Sequence, residues 1–355
     1  MKVKVQNIIG IGYKGEFDSI PALETGDSLS RLISHIKNLI DYTKIKHLEI
    51  IDQGDRYELI TRLTLNEFSL YTHERPLTLL EYKTIISEIS AYSKTLPSNI
   101  HLILSSLPIL WPDGEIHNTV LHVQSSRKCG RNPILHHLDK KVPDLGDARY
   151  KKEGQPSPLY RDSLMDDEAF LDIFLTADKL YQLLEGNDYY HTEYSPNLLL
   201  KDTEVRVDDI NQHRGALRIK TASGEIILVT IEICVEHSET NRIGISDTKY
   251  LIQQLAQAGK KLPSIGNHVL TSNSIDIVKE NLVARVIHAD PKNPPLKYKE
   301  SARETLSNST FGNQWTLFTY QPKKLKAIKQ KNLERVPEIV DTGDDEIENS
   351  PYVNP

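Results

Sequence analysis

Cysteine is nearly absent from this chain: Cys129 and Cys234 are the two thiols in 355 residues. Two cysteines cannot staple a protein of this size, which excludes a disulfide-framed scaffold and fits a reducing compartment. Long hydrophobic runs are lacking as well. No stretch approaches the roughly 18 apolar residues of a membrane helix, and Met1 to Asn7 alternates charged and apolar residues where a signal segment would be apolar. A soluble, cytoplasmic protein without a membrane span is expected. Excess positive charge is missing too: 43 Lys and Arg against 49 Asp and Glu leave a net charge of −6. A protein that binds by neutralising phosphates leans the other way, so no nucleic-acid partner is expected. The 13 histidines do not make a metal motif. His136 and His137 are adjacent, hence on opposite strand faces, and His213, His237 and His268 stand at no ligand spacing. No metal and no organic cofactor are expected.

What is present is an ordinary globular composition, 38% hydrophobic and 26% charged, long enough for one large core or two small ones. Lys2 to Ile9 reads as a strand entering that core. Leu29, Leu32, Ile33, Ile36, Leu39 and Ile40 have helical spacing over 28–43, with Asp27 placed as N-cap. Strands are expected at 47–52 and 58–65, then a helix at 79–96 that opens with capping-box spacing at Thr78 and Glu81. Further strands are expected at 100–106 and 118–123, and the charged, Gly- and Pro-containing stretch 127–162 reads as loop. A helix over 167–185, a hairpin over 216–234, a helix over 246–258 and strands at 268–272, 282–288 and 315–320 follow. From 321 the chain turns basic and then acidic with few apolar residues, as a flexible tail would. Strands and helices interleave throughout, which defines an α/β or layered α+β protein.

Gly10-Ile-Gly12-Tyr-Lys-Gly15 matches the dinucleotide pattern G-x-G-x-x-G, and Asp52 could serve as a distant ribose-binding acid. The pattern works only when the glycines lead straight into a helix. Here Pro21 and Gly26 intervene and helical periodicity starts about twelve residues too late, so a glycine-rich loop is the better reading.

Ile231-Glu-Ile-Cys234-Val-Glu236-His237 puts a thiol at the close of a strand, where rigid scaffolds present reactive groups. A cysteine attacks as thiolate and needs a neighbouring base or cation. Glu232, Glu236, His237 and Glu239 lie within reach along the chain. Cys234 reads equally as a small buried hydrophobe. Cys129 sits among Arg127, Lys128 and Arg131, as a reactive surface thiol would.

Three stretches together resemble the carbon–nitrogen hydrolase, or nitrilase-like, superfamily. Leu63-Thr-Leu-Asn66-Glu67-Phe68 is similar to its strand ending in Pro-Glu-Phe, with Asn66 in place of proline. Gly114 to Leu121, with Asn118-Thr119, followed by Leu138-Asp-Lys140-Lys141-Val-Pro-Asp-Leu-Gly-Asp147, is similar to its Asn-Thr strand and the return strand ending in lysine. Ile233-Cys234-Val-Glu236 is similar to its cysteine elbow. The resemblance spans about 1–320 and departs from the family in a Lys-to-Cys interval of 234 − 140 = 94 positions, which implies an insertion at about 148–212.

The resemblance implies an α-β-β-α layered sandwich with two mixed sheets, one catalytic domain over 1–320 and a tail over 321–355. It implies Glu67 as general base, Lys140 (or its neighbour Lys141) as oxyanion-stabilising cation and Cys234 as nucleophile, with Asp147, Glu236 and His237 as auxiliary groups. The implied reaction is thiol-dependent hydrolysis of a non-peptide amide or other C–N bond, or transfer of its acyl group, on a small-molecule substrate without cofactor. A homodimer is also implied. Two alternatives stay open: a papain-like hydrolase pairing Cys234 with His268 or His237, and a nitrilase-fold binding protein without catalysis. The acidic stretch Asp344 to Glu348 resembles the ends of bacterial effectors delivered into host cells.

Overall fold

The structure is a computed structural model that describes residues 2–12, 28–52, 57–70, 76–111, 116–127, 130–140, 207–209, 215–221, 226–237, 264–272, 275, 277, 286–291, 300–307 and 314–324. Along the chain come β1 (Lys2–Ile11), α1 (Ser28–Ile51), β2 (Tyr57–Leu65), β3 (Leu77–Thr78), α2 (Leu79–Ser93), β4 (Ile100–Leu110), β5 (Ile116–Gln124) and β6 (Ile134–Asp139). Then follow β7 (Val207–Asp209), β8 (Ala216–Lys220), β9 (Ile226–Ile233), β10 (Ser264–Thr271), β11 (Val286–Ala289), β12 (Glu300–Ser307), β13 (Gln314–Tyr320) and β14 (Lys323–Lys324).

Two mixed sheets result. The larger has ten strands in the order β12-β13-β1-β2-β4-β5-β6-β7, with β14 also on β1 and β3 on β4; the smaller runs β11-β10-β9-β8. Alternation along the strands gives the large sheet two apolar faces and the small sheet one that meets it. Ile8, Leu63, Leu102, Leu121 and Leu135 on one face of the large sheet form a core with Ile36, Leu39 and Ile40 of α1 and Ile85, Ile86 and Ile89 of α2. Val3, Val5, Ile9, Ile60, Ile103, Val120 and Leu138 on its other face form a second core with Leu217, Val229, Ile231, Val269 and Ile287 of the small sheet. The arrangement among the described residues is therefore helices on sheet on sheet. The helices expected at 246–258 and at 167–185 both lie outside the described residues.

Several expectations change. The strand expected at 47–52 is the end of α1, and Asp52 follows that helix. Its inward positions there are filled by Thr43, bonded to the Leu39 carbonyl, and by His47, whose Nδ1 lies 2.9 Å from Thr61 Oγ1. Polar residues on the buried stripe hid the helical period. A loop was expected through 134–139, whereas β6 pairs there with β5 and is the return strand that the resemblance implied. Its polar residues are buried in partnership: Tyr82 OH and His137 Nδ1 are 2.9 Å apart, and Thr119 donates to Asp139 at 2.6 Å. Strand pairing also passes Tyr320, because Lys323 and Lys324 pair with Val5 and Lys4. The capping box at Thr78 and Glu81 is present.

Candidate active site

Glu67 stands two residues beyond the end of β2, fully buried. Asn66 shapes that strand end. Its N–H donates to the Gly10 carbonyl at 3.2 Å, its Oδ1 accepts from the Gly12 N–H at 3.0 Å, and its Nδ2 donates to the Glu67 carbonyl at 2.9 Å. Proline, the residue the family resemblance calls for here, lacks the N–H and the side-chain amide and could make none of these bonds. Gly10 and Gly12 of the dinucleotide-like pattern thus hold the Glu67 turn; Gly15 lies outside the described residues. Next, Phe68 takes φ 63° and donates its N–H to Ser106 Oγ at 3.1 Å. Ser105 and Ser106 occupy the β4 bulge between Leu104 and Leu107. A bulge re-aims side chains, and Ser105 bonds Thr271 Oγ1 at 3.0 Å, joining the two sheets.

Lys140 follows the last residue of β6, and its N–H donates to the Asn118 carbonyl at 2.8 Å. Leu138 and Val120 face the inter-sheet core, so alternation carries Lys140 and Asn118 to that side as well. There Lys140 Nζ and Asn118 Nδ2 each donate to Glu67 Oε1, both at 2.9 Å, and the Lys140 and Glu67 side chains are fully buried. The ammonium also lies 5.8 Å from the Phe68 ring centroid. A buried carboxylate and ammonium persist together only when paired and hydrogen-bonded, and this pair is both.

The neighbouring Asp139 faces the helical side. His137 Nε2 and His117 Nδ1 approach it at 2.8 and 3.1 Å. Burial alone would raise its pKa, but the two histidines outweigh that and hold its carboxyl well below the ordinary range.

Cys234 follows β9, opens a short 3-10 turn that closes at His237, and is 2% exposed. Its φ of 52° lies in the left-handed region, which costs a non-glycine residue about 1–2 kcal/mol. Such outliers mark sites where the surroundings over-determine the backbone, and a sharp strand-to-helix turn is how nucleophilic elbows expose a side chain. Cys234 belongs to the same inter-sheet core cluster as Leu138, two residues before Lys140. Ile233, just before it, is the register partner of Thr271, and the next residue, Ser272, accepts the Glu67 N–H at 3.3 Å. The Glu67 turn is therefore tied to the strand beside the one that ends at Cys234. Ser272 is braced in turn: it donates to Asp290 Oδ2 at 2.6 Å and lies 2.7 Å from His288 Nε2. Its proton goes to the aspartate, so this Ser–His–Asp group is a support rather than a nucleophile.

Glu67 and Lys140 are thus joined directly, and Cys234 sits at the neighbouring strand end. His237 is buried, with Nδ1 2.8 Å from Glu232 Oε2. The backbone of Glu236 lies in the 3-10 turn; its side chain, together with Lys141, Asp147, Cys129 and Glu239, falls outside the described residues. Sequence reasoning gave no role to Asn118, although its Asn-Thr motif was visible, and took Glu232 for a partner of the thiol. Alternation with Ile231 and Ile233 instead turns Glu232 to the other face of the small sheet. There Glu232, His237 and His268 form a group whose ligating atoms all lie within 4.8 Å of one another, a spacing that could hold a metal ion.

No family model and no curated sequence matches the chain. Among solved structures it is similar to an N-terminal amidase, at 10% identity and TM-score 0.30 over 77% of this chain and 47% of that one. It is also similar to a nitrilase-superfamily amidase from Nesterenkonia AN1, at 10% identity and TM-score 0.34 over 80% and 75%, and to N-terminal amidase with a Gln-Gly peptide, at 10% identity and TM-score 0.33 over 76% and 47%. The chain spans about half the length of N-terminal amidase.

Proposed function

We propose that the chain is a thiol-dependent hydrolase of a non-peptide amide or other C–N bond, built as a complete α-β-β-α sandwich with its site at the strand ends between the sheets. The observation that carries this reading is the fully buried Glu67–Lys140 pair, 2.9 Å apart, with the Glu67 turn bonded to Ser272 at the end of β10, the strand paired with the one that leads into Cys234 and its φ of 52°. Glu67 takes the thiol proton as general base, and Cys234 attacks the carbonyl carbon. Lys140 and the backbone N–H of residue 235 stabilise the oxyanion as the C–N bond weakens. Glu67 then returns its proton to the leaving amine, and a thioester remains. Water activated by Glu67 hydrolyses it to the acid; an acyl acceptor in place of water would make the enzyme a transferase. Asn118, on the same carboxylate oxygen as Lys140, fixes the orientation of the base. A homodimer working in the cytoplasm on a small-molecule substrate completes the proposal.

Two features support this reading over the alternatives. His237 Nδ1 and His268 Nε2 both approach Glu232, which weighs against a papain-like pair. Asn66, the main departure from the family pattern, has a constructive role at the Glu67 turn. The test is the rate at which iodoacetamide labels Cys234 between pH 5 and 9, followed by peptide mass spectrometry, in wild type, Glu67→Gln and Lys140→Ala. Fast labelling near neutral pH that either substitution slows supports the unit. A thiol that stays inert until the protein unfolds overturns it.

A further inference from the structure

Glu232 is a buried carboxylate that the chemistry above leaves idle. It is the second-last residue of β9, facing away from the inter-sheet core, and its Oε2 is 2.8 Å from both His237 Nδ1 and His268 Nε2. All three side chains are at most 1% exposed. The two imidazole rings meet edge to face, with centroids 5.2 Å apart. Burial alone would raise the Glu232 carboxyl, yet the two histidines hold it well below the ordinary range, and both nitrogens stand at the 2.8 Å of a charge-assisted hydrogen bond to its one oxygen. An anionic oxygen has only lone pairs to offer. Both ring nitrogens facing it must therefore carry hydrogen, which makes Nδ1–H of His237 and Nε2–H of His268 the donors.

The same three atoms could surround a divalent ion, but two observations favour protons. Zinc at about 2.0–2.1 Å from each of its ligands sets neighbouring ligand atoms roughly 3.3 Å apart, whereas both nitrogen–oxygen separations here are 2.8 Å, the length of a charge-assisted hydrogen bond. A metal-bound histidine also anchors its second nitrogen, and His268 Nδ1 has no hydrogen-bond partner among the described residues.

The connectivity gives this group a purpose. His237 closes the 3-10 turn that Cys234 opens. His268 belongs to β10, the strand whose following residue, Ser272, accepts the Glu67 N–H. We propose that Glu232, through its two histidine donors, is a positioning residue that clamps the turn after β9 and so keeps the Cys234 thiol at the Glu67–Lys140 pair. This rests on the reading of Cys234 as the nucleophile.

The test uses the two geometries of amide side chains. An asparagine N–H can stand in for Nδ1–H of histidine, and a glutamine N–H for Nε2–H. The full chain is compared as wild type, His237→Asn, His268→Gln, His237→Leu and His268→Leu, by the pH dependence of Cys234 alkylation on samples shown to be folded. The amide variants should keep the wild-type profile and a rate within about twofold. The leucine variants should lose tenfold or more at pH 7, their midpoint moving toward the roughly 8.5 of an ordinary thiol. Should the leucine variants fail to fold, Glu232→Met gives the same reading, since it removes the single oxygen on which both donors converge. Leucine variants with the wild-type profile would overturn the proposal, as would stoichiometric zinc in the wild type that both amide variants lose. If wild-type Cys234 is itself an ordinary thiol, the functional reading fails; if it is activated and indifferent to the clamp, only this proposal does.

Discussion

Replacing Lys140 by methionine separates what the buried ion pair does for stability from what it does for reactivity. The substitution removes an ammonium 2.9 Å from Glu67 Oε1 and leaves a carboxylate with no solvent exposure. Breaking a buried pair by deleting one partner costs about 3–5 kcal/mol, because the remaining charge is left uncompensated. Glu67→Gln strands the ammonium in the same way and should cost a similar amount. Replacing both at matched volume removes both desolvation penalties, so Glu67→Gln/Lys140→Met should lie within about 1 kcal/mol of wild type. With a urea dependence of about 3 kcal/mol per molar for a chain of this size, each single variant should lower the unfolding midpoint by roughly 1 M or more. The double variant should recover nearly all of that shift while its Cys234 stays slow toward iodoacetamide. Single variants that each cost under about 1 kcal/mol, or a double variant that costs their sum, would show that the two groups are not a desolvated pair.

Acid should loosen the fold before carboxylates are titrated. Burial lowers the His47 pKa from 6.5 to about 4 and puts His101 and His122 well below 6.5, the neighbouring Arg62 and His136 adding to the effect on those two. Unfolded histidine gains a proton below pH 6.5 and these do not, so their stability is whole above that pH and falls as pH drops toward the folded pKa. His47 alone should account for about 2 kcal/mol between pH 7 and pH 5. Urea midpoints measured across that window check this, and His47→Gln should flatten the slope. Gly215 sits at φ 72°, and a Cβ there would overlap the Ile231 carbonyl oxygen. Gly215→Ala should therefore destabilise the β8–β9 pairing by several kcal/mol, about 3 or more, read as a lowered melting temperature; a change under about 1 kcal/mol would contradict this close approach of Gly215 to Ile231.

Legibility followed the source of each signal. Where apolar alternation or helical spacing was strong, as in β2, α2 and β9, the elements lie within a few residues of their expected bounds. Where buried faces carry polar residues, local pattern misled, as at Thr43 and His47 in α1 and at His137 and Asp139 in β6. Those side chains are satisfied by partners distant in sequence, a kind of information no window contains. Strand β12, which reads Glu-Ser-Ala-Arg-Glu-Thr-Leu-Ser, went unseen because a strand on the outer edge of a sheet need not look apolar. In the site, Glu67 and Cys234 were legible as strand-end residues, whereas Lys140 stood in an expected loop and became a strand end only through the family resemblance; the Glu67–Lys140 contact was not legible. Nor were the Asn118 bond and the Glu232 clamp, since both depend on which way alternation points once the strand register is set.

Strand β1 is held on one side by β2 and on the other by β13 and β14, which come from the far end of the sequence. A ribosome therefore delivers the Glu67 and Lys140 strands early and the strands that close the open edge of β1 last. Until residue 314 emerges, the hydrogen-bonding edge of β1 along Ile8, Ile9 and Ile11 has nothing to pair with, and an unpaired apolar edge invites other chains. The protein thus carries a window of vulnerability set by translation, and a chain cut short before β13 should accumulate in aggregates even though Glu67, Lys140 and Cys234 are all present.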